Sequence, residues 1–212
     1  MKNLVILGKG SLCIQICDWF NSNKNYNISL VIPVIPEPKW TDSLMNWCET
    51  NGIKTLKSGD YKDIKDDILI KSDLVISVFY DKIIKSEFIN KCKKIINLHN
   101  GPLPKYRGVS PINWALKNNE IEHGVTIHEI SPGIDDGHII GQVKYSIYSE
   151  FDEVIDVYNR ANAYAFVLFK NTIVLIDKIR PRKQDHTKSS YYSKNENHLL
   201  NERSNFTKSE SK

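Results

Sequence analysis

The stretch Leu4-Val5-Ile6-Leu7-Gly8-Lys9-Gly10-Ser11-Leu12-Cys13-Ile14-Gln15-Ile16-Cys17-Asp18-Trp19-Phe20 decides the fold class. Its four leading apolar residues, closed off by a glycine, read as a strand buried on both faces. After the glycine-containing turn, Leu12, Cys13, Ile16, Cys17 and Phe20 recur at helical spacing, so residues 11–20 read as a helix. Strand, tight turn and helix together form the first half of a βαβ unit.

The same alternation continues downstream. Residues 28–35 read as a second strand, residues 42–50 as a helix stopped at Asn51-Gly52, and residues 53–56 as a short strand. Residues 73–80 and 94–98 are further apolar runs, and their short connections, containing Ile83, Phe88 and Ile89, read as helical. The order predicts an α/β fold, Rossmann-like and doubly wound, whose mostly parallel sheet has helices on both faces. Beyond it, residues 111–117 read as a helix with proline in the first turn, and residues 124–130 and 139–147 as alternating strands that lie side by side. Residues 151–179 carry one long amphipathic pattern, broken near Asn171-Thr172. A domain over residues 1–180 is expected, followed by a polar extension over 181–212. Tyr191-Tyr192 suggests that the extension docks on the domain or at a dimer interface, and the last ten or so residues, from about Glu202, lack apolar content and are expected to be disordered.

Composition limits the functional classes. The 212 residues are 41% hydrophobic, enough for one sizeable core, and the formal charge of +4 is spread as lysine interleaved with acids. No arginine-rich stripe or groove-reading motif favours a nucleic-acid partner. The four cysteines show no C-x-x-C pair and no zinc spacing, so no metal is expected and the thiols read as reduced. The N-terminal apolar run is too short for a signal peptide and no run approaches a membrane span, which predicts a cytoplasmic protein with no membrane association.

The chemistry gathers in residues 96–108, I-N-L-H-N-G-P-L-P-K-Y-R-G. Alternation on a strand points Asn97 and His99 the same way, and the following Asn-Gly-Pro-Leu-Pro ends regular pairing. A carboxamide and an imidazole thus converge at a strand exit, where open α/β sheets bind ligands. The turn at residues 8–11 opens a helix N-terminus and is a weak phosphate signal.

Three separated motifs, N-L-H at 97–99, L-P-K-Y-R-G at 103–108 with P-I-N-W-A-L at 111–116, and H-G-V-T-I-H through G-I-D-D-G at 123–137, resemble the formyltransferases that use N10-formyltetrahydrofolate. That family includes glycinamide ribonucleotide transformylase, methionyl-tRNA formyltransferase and the sugar N-formyltransferases. The resemblance implies a catalytic group of Asn97, His99 and Asp135, with Asp136 a less well aligned alternative to Asp135. Formyl transfer between amines passes through a tetrahedral intermediate, so Asn97 is suited to stabilise an oxyanion, His99 to carry a proton, and Asp135 to orient His99. It further implies that the folate lies against Phe79, Tyr80, Ile83, Leu103, Pro104 and Gly133.

The acceptor expected from the resemblance is a nucleotide-linked amino sugar, a dTDP-4-amino-4,6-dideoxyhexose destined for lipopolysaccharide O-antigen or a similar surface glycan. Lys9, Lys105 and Arg107 are suited to a pyrophosphate, and Trp40, Tyr106, Trp114 and Tyr192 to stacking on a base or sugar. A homodimer is implied by the same analogy. Glycinamide ribonucleotide is the alternative acceptor. It is disfavoured because Ala161 stands where an acidic residue on the late helix would hold its amine, and because Asn100-Gly101 replaces Pro-Ser after the histidine. Methionyl-tRNA formyltransferase is disfavoured because the tail is too short for a tRNA-binding domain. A folate- or nucleotide-binding module without catalysis is the competing class; a purely structural role fits least.

Overall fold

A computed structural model describes residues 1–201. Its first strand, β1 (Lys2–Gly8), is followed by α1 (Gly10–Asn21), and the turn between them is close: a Cβ on Gly8 would stand 2.3 Å from the Val78 carbonyl oxygen. β2 (Tyr26–Pro33) runs parallel to β1. Ser43 then caps α2 (Leu44–Thr50) by accepting the Asn46 N–H, which satisfies one of the orphan donors at the helix start. The chain continues through α3 (Asp66–Lys71), β3 (Leu74–Val78), α4 (Ser86–Lys91), β4 (Ile95–His99), β5 (Arg107–Gly108) and α5 (Pro111–Lys117). It then forms β6 (Glu122–Glu129), β7 (Ile139–Ser146), α6 (Val154–Ile173) and β8 (Tyr191–Tyr192).

The main sheet has six strands in the order β2-β1-β3-β4-β6-β7; the first four are parallel and β6 and β7 are antiparallel additions. Side chains alternate across it. Leu4 and Ile6 of β1 enter the core shared with α1, α2, α5 and α6, whereas Val5 and Leu7 enter a smaller core with Tyr61, Leu69 of α3 and Phe88 of α4. The expected double winding is therefore present. The smaller core takes Ile95 from β4 and nothing from β6 or β7. Over that part of the sheet the second face carries Asn97 opposite His128, His99 opposite Thr126, and Thr126 opposite Gln142.

Some elements differ from the sequence expectation. Residues 53–56 form only an isolated parallel bridge, Thr55 to Val31, because Lys54 and Thr55 separate the two apolar residues of a run too short to extend the edge. The long amphipathic pattern is helical only from Val154 to Ile173; a capping box of Glu153 and Asp156 starts it, and i to i+3 turns end it at the β-branched run Thr172-Ile173-Val174. α3 has too few residues to show a period. The segment after residue 180 docks on the domain: Arg182 exchanges backbone hydrogen bonds with Ile139, and β8 pairs in parallel with β5. The expected disorder from about Glu202 lies outside the described residues. Among the described residues no helix is long and apolar enough to cross a membrane.

Candidate active site

Strand β4 ends at His99, and its alternation places Asn97 and His99 on the face of Ile95, beyond the part that α3 and α4 cover. His99 is 6% exposed. Its Nε2 lies 2.7 Å from the Tyr106 carbonyl oxygen, which can only accept, so Nε2 carries the hydrogen and Nδ1 faces Asp135 Oδ2 at 3.5 Å. Asn97 Nδ2 is 3.1 Å from His128 Nε2 and 3.5 Å from Asp135 Oδ1. His128 Nδ1 donates to the Glu129 carbonyl at 2.8 Å. His128 Nε2 also lies 3.5 Å from Asp135 Oδ1.

Asp135 reaches this face on the loop 131–137, which folds back after β6. Its backbone is left-handed at φ 50°, and its Oδ2 accepts the Gly108 N–H at 2.9 Å. Beside it, Asp136 turns inward to accept from Ser131 Oγ, which makes it a loop brace. Burial alone pushes the Asp135 carboxyl up, but His99, the hydrogen bond with His128 and the Gly108 N–H outweigh it and hold the group well below the usual carboxylate range. Burial lowers the pKa of His99; Asp135 opposes this and His128 adds to it, and we take the ring to be neutral at pH 7. The site thus presents one fixed negative charge beside a neutral imidazole.

Several supporting residues carry no obvious signal in the sequence. Thr126 Oγ1 donates to the Gly101 carbonyl at 2.7 Å and accepts the Leu103 N–H at 3.2 Å, and Gln142 Nε2 reaches both Leu103 O and Thr126 Oγ1. These bonds hold the turn after His99. Alternation could have put Thr126, His128 and Gln142 on the face of Asn97, but only with the strand pairing known. Gly101 matters by what it lacks: a Cβ there would stand 2.7 Å from His99 Nε2.

Phe79, left-handed at φ 56° just after β3, is half-buried; Ile83 is 63% and Ile134, next to Asp135, 38% exposed. Tyr80 points its hydroxyl at the Gly59 carbonyl, and Leu103, 2% exposed, presents no free face. Pro104 is half-buried and Gly133 is exposed on the Asp135 loop. Trp40 is 63% exposed and packs edge-on against Tyr158, whose other ring neighbour is Phe79. Lys105 is exposed beside Glu120.

Tyr106, Trp114, Tyr192, Arg107 and Lys9, expected at a ligand, make their contacts within the protein instead. Tyr106 and Trp114, 3% and 5% exposed, sandwich the half-buried Tyr192 with ring centroids 5.6 and 4.4 Å apart. Their aromatic surface gains more by being buried under the tail than by waiting in solvent for a ligand. Tyr192 is filled on both faces by the same sandwich. Arg107 is 9% exposed and spends its guanidinium on Gln184 Oε1 and His186 Nδ1. The turn at residues 8–11 also closes on the protein itself: the Lys9 N–H goes to the Val78 carbonyl and the Ser11 N–H to Thr41 Oγ1, while Lys9 Nζ lies 3.9 Å from Asp81. Ala161 is fully buried in the core, so its position does not discriminate between acceptors.

Residues 2–172 match the protein-family model described as formyl transferase. Over 129 residues the chain is 38% identical to the bifunctional polymyxin resistance protein ArnA of Wigglesworthia glossinidia brevipalpis, covering 59% of this chain and 19% of that protein. Over 123 residues it is 31% identical to GDP-perosamine N-formyltransferase of Brucella melitensis, covering 58% and 47%. The chain therefore aligns with less than half the length of these curated relatives. The crystal structure of an N-formyltransferase from Helicobacter canadensis, in complex with folinic acid and dTDP-3-aminofucose, matches with a TM-score of 0.78 and 30% identity, over 92% of this chain and 72% of that one. A match of this extent to the family model, on a sheet that brings Asn97, His99 and Asp135 together, means that the chain belongs to the formyl transferase family.

Proposed function

We propose that this chain transfers a formyl group from N10-formyltetrahydrofolate to the primary amine of a nucleotide-linked amino sugar. The observation that carries this reading is the meeting of Asn97, His99 and Asp135 within 3.5 Å on one sheet face. The acceptor class is supported by the Brucella relative, named for GDP-perosamine, and by the Helicobacter structure, whose ligands are folinic acid and dTDP-3-aminofucose.

The residues present fit a folate. Phe79 and Ile83 after the end of β3, the strand beside β4, and Ile134 next to Asp135 offer exposed or half-buried apolar surface, which suits a flat heterocycle. When bound there, N10-formyltetrahydrofolate supplies the formyl carbon. The chain's own groups supply charge and proton handling. Asn97 Nδ2 has one firm contact, to His128, and one at the 3.5 Å limit, to Asp135, so the second N–H is the one available to a developing oxyanion. His99 Nε2–H stays on the Tyr106 carbonyl, which leaves Nδ1 to take the proton from the incoming amine. Asp135 Oδ2 stabilises the imidazolium so formed. A cytoplasmic homodimer belongs to the same reading.

The test is incubation with N10-formyltetrahydrofolate and a panel of nucleotide-linked 3-amino and 4-amino deoxysugars, dTDP and GDP forms included, plus glycinamide ribonucleotide. Mass spectrometry should show one formyl group gained by a sugar. Formylation of glycinamide ribonucleotide alone would overturn the acceptor assignment, and no turnover with any acceptor would favour a binding module without catalysis.

A further inference from the structure

The segment after α6 packs on the start of β7, on the loop 131–137 and on β5. It is anchored at Arg182, paired with Ile139, and at Ser190, whose Oγ accepts the Tyr106 N–H at 2.8 Å. Between these anchors lies Gln184, 4% exposed. Its Oε1 accepts from Arg107 Nε at 3.2 Å and Nη2 at 2.6 Å, and its Nε2 donates to the carbonyl oxygens of Asp135 at 2.8 Å and Gly137 at 2.7 Å. A carboxamide has two donor hydrogens and an oxygen with two lone pairs, so each of its bonding positions is used. The guanidinium, a donor only, fixes which end faces it. Turned around, the NH2 would meet the N–H groups of Arg107 and the oxygen would meet two carbonyls.

Asp135 requires a hold of this kind. A non-glycine residue keeps a left-handed backbone only where its surroundings impose it, and at φ 50° the direction of its side chain follows that of its main chain. The Gly108 N–H steers the carboxylate, and Gln184 holds the main-chain carbonyl of the same residue.

We propose that Gln184 is a positioning residue for Asp135: it clamps the loop 131–137 from the tail so that the carboxylate stays beside His99 Nδ1, with Arg107 as the buried strut that orients the clamp. This rests on the assignment of Asp135 and His99 to the formyl-transfer site.

Gln184→Glu separates clamp from anchor. Glutamate keeps its acceptor oxygens for Arg107 and gains an ion pair, yet it has no hydrogen to give the two carbonyls. The expected result is a melting temperature near that of the wild type, a kcat lowered about 100-fold, as a displacement of roughly 1 Å in a catalytic group can produce, and little change in KM for the acceptor. The pKa of the His99 imidazole, read by NMR and assigned by the loss of its signals in H99A, should fall, because a displaced carboxylate supports the imidazolium less. That titration needs no substrate, so it decides the clamp even if the acceptor assignment fails in the panel assay. Wild-type kcat in Q184E overturns the proposal. So does a lowered kcat with an unmoved His99 titration, which marks general damage and not a displaced Asp135. Should Q184E fail to fold, Q184N, whose amide is one methylene short of both carbonyls, is read by the same criteria.

Discussion

His123 makes the stability of this protein depend on pH in a way that can be calculated. It lies fully buried at the start of β6, with Nε2 3.0 Å from the Asn100 carbonyl oxygen and Nδ1 without a partner. Since the carbonyl only accepts, the neutral ring donates from Nε2, and a second proton at Nδ1 would be an interior charge with no acceptor. Burial therefore pushes the pKa from 6.5 down to about 4. The unfolded chain then binds more protons than the native one between these values, so stability present above pH 6.5 is lost as pH falls toward 4. Taking the two pKa values, the loss between pH 8 and pH 5 is RT times the logarithm of about 29, or about 2 kcal/mol, and it approaches roughly 3.4 kcal/mol below pH 4. His99, also lowered, adds to it with the same sign, whereas Asp135 is ionised in both states throughout this window and adds nothing. The assay is urea unfolding at pH 8 and pH 5 for the wild type and for His123→Gln, which can still donate to Asn100 but does not titrate. The variant should lose about 2 kcal/mol less than the wild type between the two pH values, whatever its absolute stability. Equal losses within about 0.5 kcal/mol, at equal m-values, would refute the buried-imidazole account.

Other perturbations bear on the site and its roof. Gly101→Ala would place a Cβ 2.7 Å from His99 Nε2 and 3.0 Å from the Tyr106 carbonyl, forcing the ring off its acceptor; we expect turnover to fall about 100-fold with the fold retained, and wild-type turnover would show that the His99–Tyr106 contact is dispensable. Asp135→Asn should cost a similar factor while Asp136→Asn, which alters only the Ser131 contact, should cost far less; the reverse order in the same formyl-transfer assay would reassign the carboxylate. Tyr192→Ala empties the space between Tyr106 and Trp114 and should destabilise by about 2–3 kcal/mol, a melting-temperature drop of roughly 5–10 °C, and an unchanged melting temperature would mean that the tail does not contribute to stability.

What could be read from the sequence is what depends on local period. Two-residue alternation put Asn97 and His99 on one face, and proline in the first turn marked the start of α5, whose observed bounds match the expectation. Where the pattern was short it failed: residues 53–56 kept a single bridge, and α3 left no periodic trace. Arg107, Tyr106 and Trp114 misled for a different reason. A cation and two aromatic rings near a reactive histidine suit a ligand equally well as they suit a roof, and only contacts across some 80 positions, such as Tyr106 to Ser190, distinguish the two.

The same long-range contacts change the meaning of the N-L-H motif. A strand exit would leave Asn97 and His99 facing open solvent. At the end of β4, beyond the reach of α3 and α4, the two are instead covered by loop: residues 131–137 and the segment from Arg182 to Tyr192. Loop backbone buried over a sheet leaves polar groups that need partners, which accounts for the concentration of buried polar side chains there, with Thr126, His128 and Gln184 all under 6% exposed. His128 contacts Asn97, Gln184 satisfies main-chain groups of the cover, and Thr126 satisfies those of the turn after His99. The polar network that lets the cover form also sets the direction of the reacting groups, so in this chain the order of the tail and the geometry of the site are one property.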